Sequence, residues 1–255
     1  DVDARTHAKI TTGKAENKFG IAISDAPALY ARMCALPGIE PIGIATHIGS
    51  QITEGMSAYR AAYAKLAELV QSLRAQGLPV QRVDCGGGLG IPYRDEAAPA
   101  PEVLAGAIRS TLHNLGLPVM IEPGRWVVGP AGVLLASVVL QKQGAAHRFV
   151  VVDAAMNDLV RPSMYDAWHG IVPVSARTAA LKLSAAEVVG PICETGDTFA
   201  RGRMLPLLIG RVSVGFGAHA FGGDVDGVLD LRQRPAVLVP QIGGEAHGLP
   251  PPGGV

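Results

Sequence analysis

Cysteine is scarce in this chain of 255 residues, and its three copies are widely separated. Cys34, Cys85 and Cys193 form no Cys-x-x-Cys pair, so the spacing of zinc-binding and thiol-redox motifs is absent. Three isolated cysteines also give no disulfide framework of the kind that small secreted domains use. We therefore expect reduced thiols and a cytoplasmic protein.

Long hydrophobic runs and an excess of charge of either sign are also lacking. The apolar stretch at residues 127–140 is interrupted by Gly129, Pro130 and Gly132, which argues against a membrane-spanning helix. The first residues show no basic segment followed by an apolar one, so we expect no signal peptide. Lys and Arg total 22, as do Asp and Glu. With no basic stripe, binding to nucleic acid or to a membrane is not expected.

Helices and short strands alternate in the first half of the chain. Helical spacing or end signals mark residues 25–33, 56–76 and 101–115. Short apolar runs typical of buried strands occupy residues 41–46, 78–83 and 118–121. This alternation predicts an α/β fold with a parallel sheet and crossover helices.

The pattern changes after Trp126, where long helical periodicity disappears. Strands are predicted at residues 132–141, 148–153 and 187–190, whereas residues 215–223 are glycine-rich without strand alternation. We place a domain boundary near residue 130, followed by a mainly β second domain.

Three consecutive glycines, Gly86, Gly87 and Gly88, follow the strand predicted at residues 78–83. Because glycine has no Cβ, three in a row allow backbone N–H groups to converge on one point. Such a concave set of amides after a strand suits a phosphate group. The same residues also suit an ordinary turn.

Reactive side chains follow the neighbouring predicted strands. His47 comes after residues 41–46, and Glu122 and Arg125 come after residues 118–121. Parallel α/β folds place their active sites at this end of the strands. A phosphate cradle with a nearby carboxylate fits pyridoxal phosphate, because the carboxylate keeps the ring nitrogen protonated and the ring can then accept electrons. Three ordinary loops remain the alternative.

Six segments carry a more specific signal, because they occur together in one order: residues 6–21, 47–51, 84–93, 122–125, 161–165 and 190–197. With them the chain resembles the diaminopimelate decarboxylase family, in the alanine-racemase-like group of pyridoxal-phosphate enzymes. No single segment is specific, but the ordered set is. The resemblance implies a (β/α)8 TIM barrel followed by a β domain, usually in a homodimer with shared active sites.

The resemblance also implies roles for individual residues around pyridoxal 5'-phosphate. His47 would stack on the cofactor ring, and Glu122 would meet its pyridinium nitrogen. Ser50 would help to hold the phosphate. The remaining phosphate contacts would come from Gly86, Gly87, Gly88, Gly124 and the backbone of Arg125.

Substrate contacts are implied for a second set of residues. Arg125, Arg161 and Tyr165 would bind the substrate carboxylate. Cys193 would protonate the product after carbon dioxide leaves, and Glu194 would bind the distal amino end of the substrate, both in the partner subunit's site. Without the resemblance, Cys193 would be a small buried residue, and Arg161 and Tyr165 would be surface groups.

The expected reaction is the conversion of meso-2,6-diaminopimelate to L-lysine and carbon dioxide in lysine biosynthesis. A related basic-amino-acid or carboxynorspermidine-type decarboxylase, or an inactive remnant, are the alternatives. The family's cofactor-binding lysine lies on the first barrel strand, and no lysine of this chain falls in the matching motif. We therefore expect a C-terminal fragment, inactive by itself, with part of the barrel in residues 1–130 and the β domain in residues 131–255.

The likeness to the family fades after about Pro206. The family has Gly-Ala-Tyr-Gly here, and the nearest match is Ala-Phe-Gly at residues 220–222, whose Phe221 has no hydroxyl. Residues 229–236 can be encoded so that a one-base shift gives Ser-Thr-Tyr-Asp-Asn-Ala-Arg-Pro, close to a family motif. Our hypothesis is a tail translated out of frame, and a diverged natural tail is the alternative.

Overall fold

The computed structural model describes residues 19–175 and 179–206 with their side chains, and the backbone of residues 213–217. Outside these residues lie most of the family-like segment at residues 6–21 and most of the tail after Pro206. The same is true of the three lysines in that segment, Lys9, Lys14 and Lys18. Within them, no helix is both long and apolar enough to cross a membrane.

A parallel three-stranded sheet is formed by the first part of the chain. Its strands, in spatial order, are β1 (Gly43–Ala45), β2 (Arg82–Gly87) and β3 (Val119–Glu122). The helices that alternate with them are α1 (Ala26–Ala35), α2 (Ser57–Ala75) and α3 (Pro101–Leu112), the last continued by a 3-10 turn at His113–Leu115. The α/β fold predicted from the alternating pattern is confirmed.

Helix α2 fixes the position of β2. Residues at helical spacing along one face of α2 are buried, among them Tyr59, Tyr63 and Leu66. The hydroxyl of Tyr59 donates to the carbonyl of Gly87 over 3.1 Å, and that of Tyr63 donates to the carbonyl of Cys85 over 3.3 Å. The core stripe of this helix therefore also anchors the glycine turn.

A six-stranded sheet is formed by the second part of the chain, with its strands in the order β6-β9-β4-β5-β7-β8. These strands are β4 (Leu134–Gln143), β5 (Arg148–Val152), β6 (Gly170–Pro173), β7 (Leu183–Val189), β8 (Thr198–Pro206) and β9 (Ser213–Gly217). Two short helices, α4 (Gly124–Val128) and α5 (Arg161–Tyr165), precede β4 and β6. All the pairs are antiparallel except β5 with β7. Val150, Val152 and Val188 are at the centre of its core and have no exposed surface.

Two sequence predictions about strands differ from the structure. The strand predicted at residues 78–83 begins at Arg82 and runs through the first two glycines, because it pairs with β3 as far as Gly87. Part of the glycine-rich segment from residue 215 is also a strand, contrary to expectation, because backbone pairing of β9 with β4 and β6 needs no side-chain alternation.

Strand β3 is an apolar strand that is exposed along its whole length. Val119, Met120 and Ile121 are 40%, 47% and 49% exposed, and within the described residues β3 pairs with β2 alone. Strands of parallel sheets are normally covered on both faces, so this surface is unusual for a parallel sheet.

Candidate active site

The carboxyl ends of the three parallel strands bring together the residues that the sequence singled out there. The amide of Gly87 donates a hydrogen bond of 3.2 Å to Nδ1 of His47, in the loop after β1. On its other side Gly87 is the register partner of Glu122, the last residue of β3. His47, Gly87 and Glu122 thus lie side by side at one edge of the sheet, which is the arrangement expected for an α/β active site.

The glycine triplet lets neighbouring backbones approach one another closely. Gly86 and Gly88 have φ angles of 66° and 93°, which favour glycine. A Cβ at Gly87 would overlap the carbonyl oxygen of Glu122, and a Cβ at Gly86 would overlap that of Thr46. These positions therefore exclude side chains and allow the backbones of the three strand ends to pack directly against one another.

Two amides of the triplet are already bonded within the chain. Gly86 donates to Oδ1 of Asp84 over 2.8 Å, and Gly87 donates to His47. Because these two amides already have acceptors, other groups would have to donate the hydrogen bonds to a phosphate.

Gln51 connects all three loops, although the sequence assigned it no role. It has a φ of 60°, and its Oε1 accepts from the amide of Ile91 at 3.2 Å and from Nη1 of Arg125 at 3.1 Å. Its Nε2 donates to the carbonyl of Ile91 over 2.5 Å. The only sequence signal was its place at the end of the segment at residues 47–51.

The other residues predicted to bind the cofactor lie close along the chain. Ser50 is half-buried next to Gln51. Gly124 and Arg125 are the first two residues of α4, whose initial amides have no partner within the helix. Glu122 is exposed at the end of β3, and the guanidinium of Arg125 turns back to Gln51.

Arg161 links the β-rich part of the chain to the loop after the glycines. Its Nη1 lies 3.0 Å from Nε2 of His169, and its Cζ lies 4.7 Å from the ring centroid of Tyr93. Burial lowers the pKa of Arg161; Tyr93 and Tyr165 oppose this shift, whereas the positive charge of Arg125 adds to it. The two arginines predicted to bind a substrate carboxylate are therefore close enough to repel each other.

Cys193 and Glu194 lie on the exposed loop between β7 and β8. The hydrogen bonds of Glu194 stay within this loop, and the structure does not bring either side chain to the glycine turn. The loop is held by Asp197, a buried residue whose carboxylate accepts from the amides of Ile192 at 2.9 Å and Met156 at 2.7 Å. No role was predicted for Asp197, although it ends the segment at residues 190–197.

Metal binding finds no support among the residues that the structure describes. There, no group of three or more His, Cys, Asp and Glu side chains is arranged to hold an ion. The chemistry available at the strand ends is that of an imidazole, a carboxylate, two guanidinium groups and backbone amides.

Comparisons with a family model and with individual proteins both point to pyridoxal-dependent decarboxylases. The model of the pyridoxal-binding domain of pyridoxal-dependent decarboxylases matches residues 1–129. Diaminopimelate decarboxylase of Pseudomonas aeruginosa is 44% identical over 239 residues, which is 94% of this chain and 57% of that protein. The Zymomonas mobilis enzyme of the same name is 44% identical over 207 residues, or 80% of this chain and 48% of that protein.

Solved structures agree with this comparison. Diaminopimelate decarboxylase from Helicobacter pylori, complexed with L-lysine, has a TM-score of 0.79 and 35% identity, covering 85% of this chain and 53% of that one. The enzyme of M. jannaschii, also with L-lysine, has a TM-score of 0.72 and 34% identity, covering 86% and 51%. The chain thus spans about half the length of these relatives.

Proposed function

The chain belongs to the pyridoxal-dependent decarboxylase family, and on that premise we propose that it forms the C-terminal part of a diaminopimelate decarboxylase. The whole enzyme would convert meso-2,6-diaminopimelate to L-lysine and carbon dioxide. The observation that supports this most directly is the contact of His47 with Gly87 and the pairing of Gly87 with Glu122. All three residues lie within the part of the chain that matches the pyridoxal-binding domain.

Residues 1–130 would be the C-terminal part of a (β/α)8 barrel and residues 131–255 a β-rich domain. A closed barrel of this kind has eight strands, and the structure describes three in the parallel sheet. The exposed apolar surface of β3, at Val119, Met120 and Ile121, supports the proposal, since neighbouring barrel elements would cover it. The partial coverage of the relatives also supports a fragment of the barrel, since the match spans 57% of the Pseudomonas aeruginosa protein.

The residues at the strand ends fit pyridoxal phosphate. A Cβ at Gly86 or Gly87 would overlap a neighbouring backbone carbonyl oxygen, so the glycines allow the three strand ends to lie close enough together to contact one small group. Since the amides of Gly86 and Gly87 are bonded internally, the phosphate would be held by the Ser50 hydroxyl and by the amides of Gly88, Gly124 and Arg125.

Two further residues would hold the ring of the cofactor. Glu122 would pair with the ring nitrogen, and the imidazole of His47 would lie against the ring, oriented by its hydrogen bond from Gly87. When bound, the cofactor supplies an electron sink for the negative charge that decarboxylation leaves on the substrate.

The substrate carboxylate would lie near Arg125 and Arg161, with Tyr165 one turn of α5 away from Arg161. The mutual repulsion of the two arginines supports this, because an anion beside both would relieve it. Arginine presents a planar fork of donors that matches a carboxylate.

Proton delivery would depend on a partner subunit in a homodimer. Cys193 of one subunit would donate the proton that replaces the departing carboxylate at the substrate carbon of the other, and Glu194 would bind the distal amino group. The exposure of both side chains on a loop held by Asp197 supports a role across an interface. A positioned acid of this kind is what the protonation step needs.

The decisive experiment begins with the coding DNA upstream of this chain, which we expect to encode the rest of a barrel with a lysine at the end of its first strand. The full-length protein, supplied with pyridoxal phosphate, is then assayed for carbon dioxide release from meso-diaminopimelate, L-lysine and L-ornithine. We expect a clear preference for meso-diaminopimelate, and Glu122→Gln should reduce the rate strongly. Faster turnover of lysine or ornithine would instead identify a related basic-amino-acid decarboxylase.

A second candidate is a cofactor-binding remnant without catalysis, which one observation favours. Among the described residues, Lys65, Lys142 and Lys182 lie on α2, on β4 and just before β7, away from the strand ends of the parallel sheet. Mixing the chain with pyridoxal phosphate and measuring the absorbance of bound cofactor after dialysis tests this. Binding that survives replacement of every lysine, with no carbon dioxide release, would support the remnant.

A further inference from the structure

A cavity of about 570 Å³ lies beside Trp168, between residues 162–168 and strand β8. Arginines contribute much of its wall, namely Arg94, Arg201 and Arg203, and the only acidic residue among its lining residues in the described part of the chain is Asp166. None of the residues that we propose for cofactor or substrate line this cavity. It is therefore a separate feature of the molecule.

Two of these arginines stack on the same aromatic ring. Cζ of Arg203 lies 4.4 Å from the ring centroid of Trp168, and Cζ of Arg94 lies 4.9 Å from it. Nη1 of Arg203 also donates to the carbonyl of His169 over 2.8 Å. The indole and this carbonyl hold the planar guanidinium of Arg203 in one orientation, so that its remaining N–H groups are pre-arranged.

Among the described residues that line this cavity, the three arginines outnumber the single acidic side chain, Asp166. Arg201 forms an ion pair of 4.0 Å with Glu187. Within the residues that the structure describes, neither Arg94 nor Arg203 has such a pair, and Glu96 bonds to the backbone amide of Arg94 instead. Burial lowers the pKa of Arg203, and the charge of Arg94 lowers it further.

Two guanidinium groups that stack on one indole beside an open cavity, without a carboxylate ion pair among the described residues, are the arrangement that a doubly charged anion would satisfy. We propose that the cavity binds a small dianion, a phosphate group or a dicarboxylate, through the guanidinium groups of Arg94 and Arg203 on either side of its oxygens. Paired guanidinium groups bind such oxygens with directed, charge-assisted hydrogen bonds. The cavity volume falls within the range of small-molecule sites, about 300 to 1,000 Å³.

The test uses Trp168 as a reporter in the complete chain. The sequence has two tryptophans, Trp126 and Trp168, so Trp126→Phe leaves one fluorophore at the cavity. This variant is titrated with inorganic phosphate and, separately, with succinate, while sodium chloride keeps the ionic strength constant. We expect a saturable change in fluorescence with at least one anion. The anion that binds more tightly shows whether the site prefers a phosphate group or a dicarboxylate.

Three substitutions in that background decide whether the arginines bind the anion. Arg203→Gln and Arg94→Gln should each weaken binding at least about tenfold, and Arg203→Lys should weaken it less because the charge remains. Arg201→Gln is the matched control, since this arginine lines the same cavity but is paired with Glu187. It should weaken binding clearly less than Arg94→Gln or Arg203→Gln does.

The outcomes that overturn the proposal are equally direct. Fluorescence that responds only linearly, or that responds to chloride as it does to phosphate, would contradict a defined site. So would unchanged binding in Arg94→Gln, whose exposed side chain can be removed without disturbing the core. Thermal unfolding of each variant confirms that it is folded. Because Trp168 reports the signal, phosphate bound at the strand ends of the parallel sheet would not depend on Arg203 and is distinguished from this site.

Discussion

Gly87 donates its amide hydrogen to Nδ1 of His47 over a distance of 3.2 Å. Nδ1 can accept this bond only when it carries no proton, so a neutral ring has its hydrogen on Nε2. The same glycine is the register partner of Glu122. One backbone position therefore sets both the tautomer of the imidazole and its place beside the carboxylate.

This hydrogen bond gives the first prediction. His47→Ala leaves the amide of the buried Gly87 without its acceptor, and should lower the free energy of unfolding by about 1 to 3 kcal/mol. His47→Asn offers a carbonyl oxygen near the position of Nδ1, and should lose less. Urea unfolding of the two variants measures the difference. Equal losses would mean that the bond to Gly87 contributes nothing.

A pair of glycine substitutions tests how tightly the strand ends are packed. Gly87→Ala forces a methyl group against the carbonyl of Glu122 and should destabilise the fold by about 1 to 3 kcal/mol. Gly106 lies within α3, and an added Cβ there meets no atom within 4 Å. Gly106→Ala should stabilise the chain by about 0.5 to 1 kcal/mol. Thermal unfolding should therefore show shifts of opposite sign, and a neutral Gly87→Ala would contradict the close contact.

Much of the parallel layer could be predicted from the sequence because its signals are local. Pro101 at the first position of α3 and the apolar spacing of α2 are visible in any short window of the chain. Strands β6 and β8 were not predicted. Strand β6 is defined by its pairing with β9, which lies far along the chain, whereas β8 pairs with the preceding strand β7 but contains Arg201, Gly202 and Arg203, which interrupt its apolar pattern. The start of β2 was misplaced because it is set by pairing with β1, in which Gly43 is the register partner of Arg82.

The candidate site divides in a similar way. That His47, Gly87 and Glu122 lie together follows from parallel topology, which places the carboxyl ends of strands at one edge. The roles of Gln51 and Asp197 are set by hydrogen bonds to groups that are 40 or more residues away along the chain. Such partners have no sequence signal. The roles of the site residues and the domain boundary near residue 130 stay predictions, and the hypothesis about the tail concerns residues that lie outside those described.

Asp197 is the subject of the third prediction. In Asp197→Asn one carboxylate oxygen becomes an NH₂ group, which cannot accept from the amide of Met156 or Ile192. We expect a loss of about 1 to 3 kcal/mol in stability and a looser loop around Cys193. Asp153→Asn is the matched control, because Asp153 accepts from the amide of Ser137 but is exposed. If Asp153→Asn loses as much stability as Asp197→Asn, burial of the carboxylate is not the cause.

The three cysteines should react with iodoacetamide at very different rates. Cys193 is exposed, whereas Cys85 is buried, and burial followed by the charge of Asp84 raises the pKa of Cys85 to about 12. At pH 8 only about one Cys85 thiol in ten thousand is then ionised, and the thiolate is the reactive form. Mass spectrometry of the folded chain should find Cys193 modified first and Cys85 modified only after unfolding. Cys193→Ser should abolish the fast phase, and Asp197→Asn should accelerate it. Early modification of Cys85 would mean that the end of β2, next to the glycines, opens in the native state. The packing that keeps His47 and Glu122 on either side of Gly87 would then have to be dynamic.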